Sequence, residues 1–125
     1  MDKKVIYTEN APEPGPYSQA IQYGNLIFVA GQTSEDPETN RPVHDSVAGQ
    51  TERIMKNIRT ILEAAGSGLD KILRADIYLS AMEIKPEFNE AYIKFFPQNP
   101  PARNCVAVAG IDDGLNVEIE VIAGV

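Results

Sequence analysis

Few residues in this chain have types and spacing that could do chemistry. Near the C-terminus Arg103 stands two residues before Cys105, and Glu118 two residues before Glu120. That spacing puts each pair on one face of a β-strand. A guanidinium is a planar fork that holds a carboxylate bidentately, and a carboxylate nearby can take or return a proton. If the two segments close a hairpin with matching faces, one arginine and two carboxylates share a surface. The register is open at this point, and either Glu118 or Glu120 could approach Arg103. The plain alternative is a cross-strand ion pair on a solvated face, worth about 0–1 kcal/mol. Against it stands Tyr17, in the rigid and irregular segment Gly15-Pro16-Tyr17, since such segments carry sites more often than cores. Pro100-Pro101 likewise stiffens the approach to Arg103. Cys105 lacks the partner a thiol nucleophile needs, because the only histidine, His44, lies in a distant polar loop.

Composition removes several classes of function. The chain has 125 residues, with 11 Lys and Arg against 18 Asp and Glu, for a net charge of −7. Nucleic-acid binding depends on cations that neutralise phosphates, so nucleic acid is not an expected partner. One cysteine and one histidine make neither a disulfide nor a zinc cluster. The phosphate-cradling patterns GxGxxG and GxxxxGK[ST] are absent. No metal or cofactor is expected, and the chemistry falls to side chains and backbone. No apolar run is long enough to span a membrane. Met1-Asp2-Lys3-Lys4-Val5-Ile6 has no apolar h-region, so it does not read as a signal peptide, and a lone cysteine fits a reducing cytoplasm.

The elements that must position these residues follow from periodicity. Residues 3–8 read as a short strand and residues 10–16 as an irregular Pro- and Gly-rich segment. Ser18–Gln22 and Leu26–Ala30 flank Tyr23-Gly24-Asn25 as a hairpin. Residues 34–45 form a polar loop. From Ser46 to Ala65, the residues Val47, Ile54, Ile58, Ile61, Leu62 and Ala65 recur at helical spacing. Asp45 or Ser46 can cap that helix, Gly66 suits its end, and Gly49 costs it about 1 kcal/mol. Residues 71–80 read as a strand. A second helix is expected over Glu83–Phe95, with Phe88, Ala91, Tyr92 and Phe95 on one face and Pro86 in its first turn. Ala102–Val108 and Asn116–Ala123 are the last strands, joined through Asp113-Gly114. Ala102, Val106 and Val108 are expected to face the core, and Arg103 and Cys105 to face away from it. The order β-β-β-α-β-α-β-β gives a sheet with two helices stacked on one face as a single domain over 1–125.

Several segments together resemble the RidA/YjgF family. They are Gly15-Pro16-Tyr17-Ser18-Gln19-Ala20, Ala30-Gly31-Gln32, Asn57-Ile58 with Leu62-Glu63-Ala64-Ala65-Gly66, and Phe88-Asn89-Glu90-Ala91-Tyr92 with Phe95-Phe96. The most specific is Pro101-Ala102-Arg103-Asn104-Cys105-Val106-Ala107-Val108, followed by Val117-Glu118-Ile119-Glu120. The resemblance implies an α+β fold, a six-stranded mixed sheet backed by two helices and similar to chorismate mutase. It implies a homotrimer with three intersubunit sites. The implied activity is cofactor-free hydrolysis of 2-imino acids such as 2-iminopropanoate and 2-iminobutanoate to 2-oxo acids and ammonia. Carried over residue by residue, Arg103 anchors the substrate carboxylate and the Cys105 backbone carbonyl takes the imine nitrogen. Glu118 positions the attacking water and moves its proton. Tyr17 brings its hydroxyl near the substrate, the Gly31 backbone closes in, and Phe88 supplies an apolar wall. Ala30 stands where many members have serine, which removes a possible hydroxyl contact.

Two other functions stay open on the sequence. One is a non-catalytic trimer, chaperone-like or binding small carboxylates through the same cleft. The other is a ribonuclease or translation inhibitor, which the net charge and the lack of a basic stripe or a histidine pair oppose.

Overall fold

The computed structural model describes residues 2–125. Its strands are β1 (Lys4–Ile6), β2 (Ala20–Tyr23), β3 (Leu26–Gln32), β4 (Ile72–Leu79), β5 (Ala102–Ala107) and β6 (Val117–Gly124). Its α-helices are α1 (Val47–Ala64) and α2 (Lys85–Ile93). The strands form one sheet in the order β1-β2-β3-β6-β4-β5. Neighbours run antiparallel except β4 and β5, which are parallel and joined through α2. This is the mixed six-stranded sheet with two helices that the resemblance implies.

Local chemistry explains the boundaries. Ser46, not Asp45, caps α1: its hydroxyl accepts from the Gly49 backbone N–H at 3.0 Å. Asp45 folds back instead, accepting from the Ser46 N–H at 2.8 Å and pairing with Arg53 at 3.4 Å. A Cβ on Gly49 would run into that carboxylate, so the residue that weakens the helix also makes room for the turn that starts it. The α1 stripe of Val47, Ile54, Ile58, Ile61 and Leu62 is buried on the sheet. The second helix is shorter than its periodicity suggests. A 3₁₀ turn at Met82–Ile84 precedes α2, Pro86 sits in its first turn, and Phe96 beyond its end is buried with Phe88, Ala91 and Tyr92.

The sheet order overturns one expectation. β5 and β6 do not form a hairpin, because β4 lies between them. The crossover through α2 lays β5 parallel to β4, and β6 then inserts between β3 and β4. Burial shows why. In β6, Val117, Ile119, Val121 and Ala123 are all buried, which suits a strand paired on both sides. β5 has no fully buried residue and follows Pro100-Pro101, which suits an edge.

The faces of β5 are therefore reversed from expectation. In register, Arg103 lies beside Ala75 and Cys105 beside Ile77, both core residues, so Arg103 and Cys105 point to the helix side. Val106 is 46% exposed on the other side, and Ala102 is exposed as well. Glu118 and Glu120 alternate with the core row of β6 and occupy the face without helices, together with Tyr78 and Asp76 of β4. Arg103 thus shares no face with either carboxylate. The bare face also exposes Tyr23, Leu26 and Phe28.

The core depends on the α1 stripe. Ile58 is fully buried and Glu63 is exposed on the same helix. Ile58→Ala is expected to cost about 2–5 kcal/mol, and Glu63→Ala to stay within about 0.5 kcal/mol. Urea denaturation of the two variants checks this.

Candidate active site

The bare face gains its cleft where β3 ends. Pairing of β3 with β6 is regular up to Val29 and resumes only at Gln32, so Ala30 and Gly31 lie in an irregularity rather than after the strand. A Cβ on Gly31 would collide with the Glu118 carboxylate and would meet its Cδ at 3.1 Å. Glycine at this position is what lets Glu118 lie against the β3 backbone.

Tyr17 reaches the same place through its neighbour Gln19. Gln19 is buried, and its side chain accepts from the Thr8 N–H at 2.8 Å. It also donates to the carbonyls of Thr8 and Pro12 at 3.0 and 2.9 Å. Its own carbonyl accepts from the Ala30 N–H at 2.9 Å. One amide side chain therefore ties the irregular segment to the end of β3 and leaves Tyr17 exposed at the rim.

Together these residues line a cleft of about 240 Å³ that includes Tyr17, Gly31, Glu118, Glu13, Glu35 and Asp112. Four of its lining residues are carboxylates and none is Lys or Arg. The electrostatics follow from that imbalance. Glu118 is held above the usual 4.5, first by burial and then by the negative charges of Asp112 and Glu120. Glu35 is raised too, by burial and then by Asp113 and Asp112. A half-buried carboxyl that keeps its proton more tightly than usual is suited to acid/base work.

Arg103 belongs to a different surface. Its Nη2 donates to Asn89 Oδ1 of α2 at 2.7 Å. The guanidinium carbon lies 5.2 Å from the Tyr92 ring centroid and 5.7 Å from that of Phe88, close enough for cation–π attraction. Phe88 is fully buried, so it supports the guanidinium from beneath and is not a wall of open space. Around Arg103 lies an open cavity of about 570 Å³ lined by Asn89, Tyr92, Ile93, Pro100 and Pro101. Cys105 follows on the same face, half-buried against the core. Among the described residues β5 pairs through one of its edges, so backbone groups on the other edge can meet a ligand. Tyr92 is pushed up to about 12 by burial, with Arg103 opposing the shift and Cys105 adding to it.

The site residues read from the sequence therefore fall into two groups. The structure brings Tyr17, Gly31 and Glu118 together on the bare face, and Arg103, Phe88 and Cys105 together at the β5 edge. Asn89, Gln19, Glu35 and Asp112 carry positioning or charge that the sequence did not assign. Asn89 and Gln19 stood inside quoted motifs, and that was their only signal. For Glu35 and Asp112 there was none.

Comparison with known proteins adds to this geometry. The model of a family described as Endoribonuclease L-PSP matches residues 8–125. A RutC family protein of Pyrococcus horikoshii is 44% identical over 122 residues, covering 97% of each chain. Reactive Intermediate Deaminase A of Arabidopsis thaliana, a chloroplastic protein, is 41% identical over 98% of this chain and 66% of its own length. A crystal structure of E. coli TdcF with bound serine superposes with a TM-score of 0.91 at 32% identity, covering 98% of both chains. With its sheet order, its paired helices and matches along nearly its whole length, the chain belongs to the RidA/YjgF family, whose model carries the L-PSP description.

Proposed function

We propose that this chain hydrolyses short 2-imino acids of the 2-iminopropanoate and 2-iminobutanoate type to 2-oxo acids and ammonia, as a homotrimer with its sites between subunits. The observation that carries this reading is the division of the site. A carboxylate-lined cleft without a cation and an arginine surface each offer half of what such a substrate needs, and they lie on opposite faces of one sheet. A molecule this short cannot reach both within one chain. A second copy, packed against the exposed apolar residues of the bare face, supplies the missing half.

In that cleft the substrate carboxylate sits on the Arg103 fork, whose plane is set by Asn89 and the two rings beneath it. The Cys105 carbonyl accepts from the imine N–H. Glu118 of the neighbouring copy holds a water against the imine carbon. The water oxygen forms a bond to that carbon as the C=N π pair moves to nitrogen, and Glu118 takes the water proton. Returning that proton to nitrogen gives a carbinolamine; Glu118 then moves the proton of its new hydroxyl to the NH2 group, the C–N bond breaks to release ammonia, and the oxygen pair closes C=O. Tyr17 places its hydroxyl at the cleft rim, and the bare Gly31 backbone lets the substrate approach Glu118. An imine carbon is already activated, so orientation and one acid/base group suffice, without metal or organic cofactor.

Two relatives support the class of ligand. TdcF was solved with serine, an amino acid carrying the same carboxylate, and the Arabidopsis relative is named as a reactive intermediate deaminase. The family description names an endoribonuclease, but a cleft with four carboxylates repels a phosphate backbone.

A coupled assay tests the activity. A PLP-dependent threonine dehydratase generates the imine, and 2-oxobutanoate release is expected to accelerate when this protein is added without metal. No gain over the spontaneous rate from folded protein rejects the enzyme reading. Glu118→Gln is expected to slow turnover by about 10²–10⁴. Arg103→Lys keeps the charge but loses the fork, and its activity should collapse with the fold intact.

Subunit mixing tests the division of the site. Arg103→Ala and Glu118→Gln are each expected to be nearly inactive alone. After unfolding and refolding together in equal amounts, random assembly should restore both halves at about a quarter of the sites. No recovery in well-formed mixed oligomers means that both residues act within one chain. Light scattering that shows a monomer at micromolar concentration removes the intersubunit site altogether.

Gly31→Ala provides a local check. The new Cβ must displace the Glu118 carboxylate. Activity is expected to fall toward that of Glu118→Gln while the far-ultraviolet circular dichroism spectrum stays unchanged.

A further inference from the structure

Glu118 and Glu120 look equivalent in the sequence, yet their surroundings differ. Glu118 lines the cleft with Tyr17 and Gly31, and it also lines a second cleft of about 240 Å³ on its other side, with Tyr78, Gly110, Ile111 and Glu120. In register Tyr78 of β4 lies directly beside Glu118, and Asp76 directly beside Glu120. Tyr78 does not pair with its direct neighbour. Its hydroxyl reaches along the diagonal and donates to the Glu120 carboxylate. Asp76, opposite Glu120, is drawn to Arg74 at 3.2 Å.

We propose that Tyr78 and Glu120 are positioning residues for Glu118: the tyrosine hydroxyl anchors the Glu120 carboxylate beside Glu118 on the bare face, in the cleft the two glutamates share. The inference rests on the reading of Glu118 as the acid/base group and extends it.

The chemistry has a definite direction. The hydroxyl donates to the Glu120 carboxylate and fixes where that side chain lies. Tyr78 is the donor throughout, because its own ionisation is pushed up to about 12, chiefly by that same bond. Glu118 has no hydrogen-bonding side chain of this kind among the described residues. It meets burial and the charges of Asp112 and Glu120, all of which favour its protonated form. The other titratable groups around it are Glu13, Glu35 and Tyr17 in the first cleft and Tyr78, with Asp76 and Arg74 behind it, on β4. Asp112 is exposed on its turn, where salt screens it. Glu120 is half-buried on a central strand and keeps its effect at physiological salt. The two carboxyls thus share one face with different partners: Glu120 is anchored by Tyr78, and Glu118 is left open to the cleft.

The test is the pH profile of kcat/KM in the coupled assay, together with a carbon-13 titration of the Glu118 carboxyl. In the wild type the acid limb is expected above the ordinary 4.5 of a glutamate. Glu120→Gln removes the neighbouring charge and should move the limb to lower pH. The plateau should fall less than about tenfold, against the 10²–10⁴ expected on losing the acid/base group itself. Tyr78→Phe releases the Glu120 side chain from its anchor, so its charge no longer lies fixed beside Glu118, and should move the limb the same way by less. A limb unmoved in both variants overturns the proposal. So does a collapsed plateau in Glu120→Gln, which would make Glu120 the acid/base group. If the wild type shows no turnover, the deaminase reading fails by itself, and the Glu118 titration in the two variants still decides this inference.

Discussion

The placement of β6 at the centre of the sheet governs the rest of the molecule. It pairs with β3 on one edge and β4 on the other, so its backbone is satisfied on both sides and its register is held twice. Strict alternation then does two jobs. Val117, Ile119, Val121 and Ala123 close the core under the helices, and Glu118 and Glu120 are carried to the opposite face. A slip of one residue would exchange the rows and bury two carboxylates among isoleucines. The position of the candidate acid/base group is thus enforced by the same packing that stabilises the fold. The irregularity at Ala30-Gly31 is the complementary feature: β3 departs from the ladder where Glu118 needs room.

Arg103 is placed by a different constraint. The α2 crossover makes β5 parallel to β4, and a parallel neighbour in register adopts its partner's facing. Arg103 follows Ala75 toward the helices, and the helix that made the crossover supplies Asn89, Phe88 and Tyr92 to hold the guanidinium. An arginine on a core-facing register position is tolerated because β5 is the edge strand. There the guanidinium can rest on aromatic rings and still meet the open cavity beside Pro100 and Pro101.

Most of the architecture was legible in the sequence, for identifiable reasons. The α1 stripe and the alternation of β6 are long and regular, and both elements appear within a residue or so of their expected limits. What failed was the pairing of β5. Two consecutive strands joined by Asp113-Gly114 invite a hairpin, and nothing local says that β4 must come between them. That is decided by a contest for the central position, which β6 wins because its buried row is complete and that of β5 is not. The error reached the site directly, since it put Arg103 on the carboxylate face. The choice between Glu118 and Glu120 was illegible for a related reason. What separates the two lies on other elements: Gly31 and Tyr17 beside one, Tyr78 beside the other.

Separation of the two halves within a chain has a chemical consequence of its own. Were Arg103 beside Glu118 on one face, the pair would form an ion pair. The fork would then be occupied and the glutamate pulled toward its ionised form, which removes both the anion site and the tuned acid. Held on opposite faces, each half keeps its character: Arg103 rests on a neutral amide and two rings, and Glu118 sits among like charges. In the proposed intersubunit cleft a 2-imino acid meets this division in its bound orientation, with its carboxylate toward the arginine and its proton-accepting nitrogen toward the carboxyls. The negative charges that orient the substrate are the same ones that raise the proton affinity of Glu118. Within one chain, then, the sheet keeps recognition and acid/base chemistry on separate surfaces, and in the proposed assembly the substrate carboxylate rather than Glu118 occupies the fork.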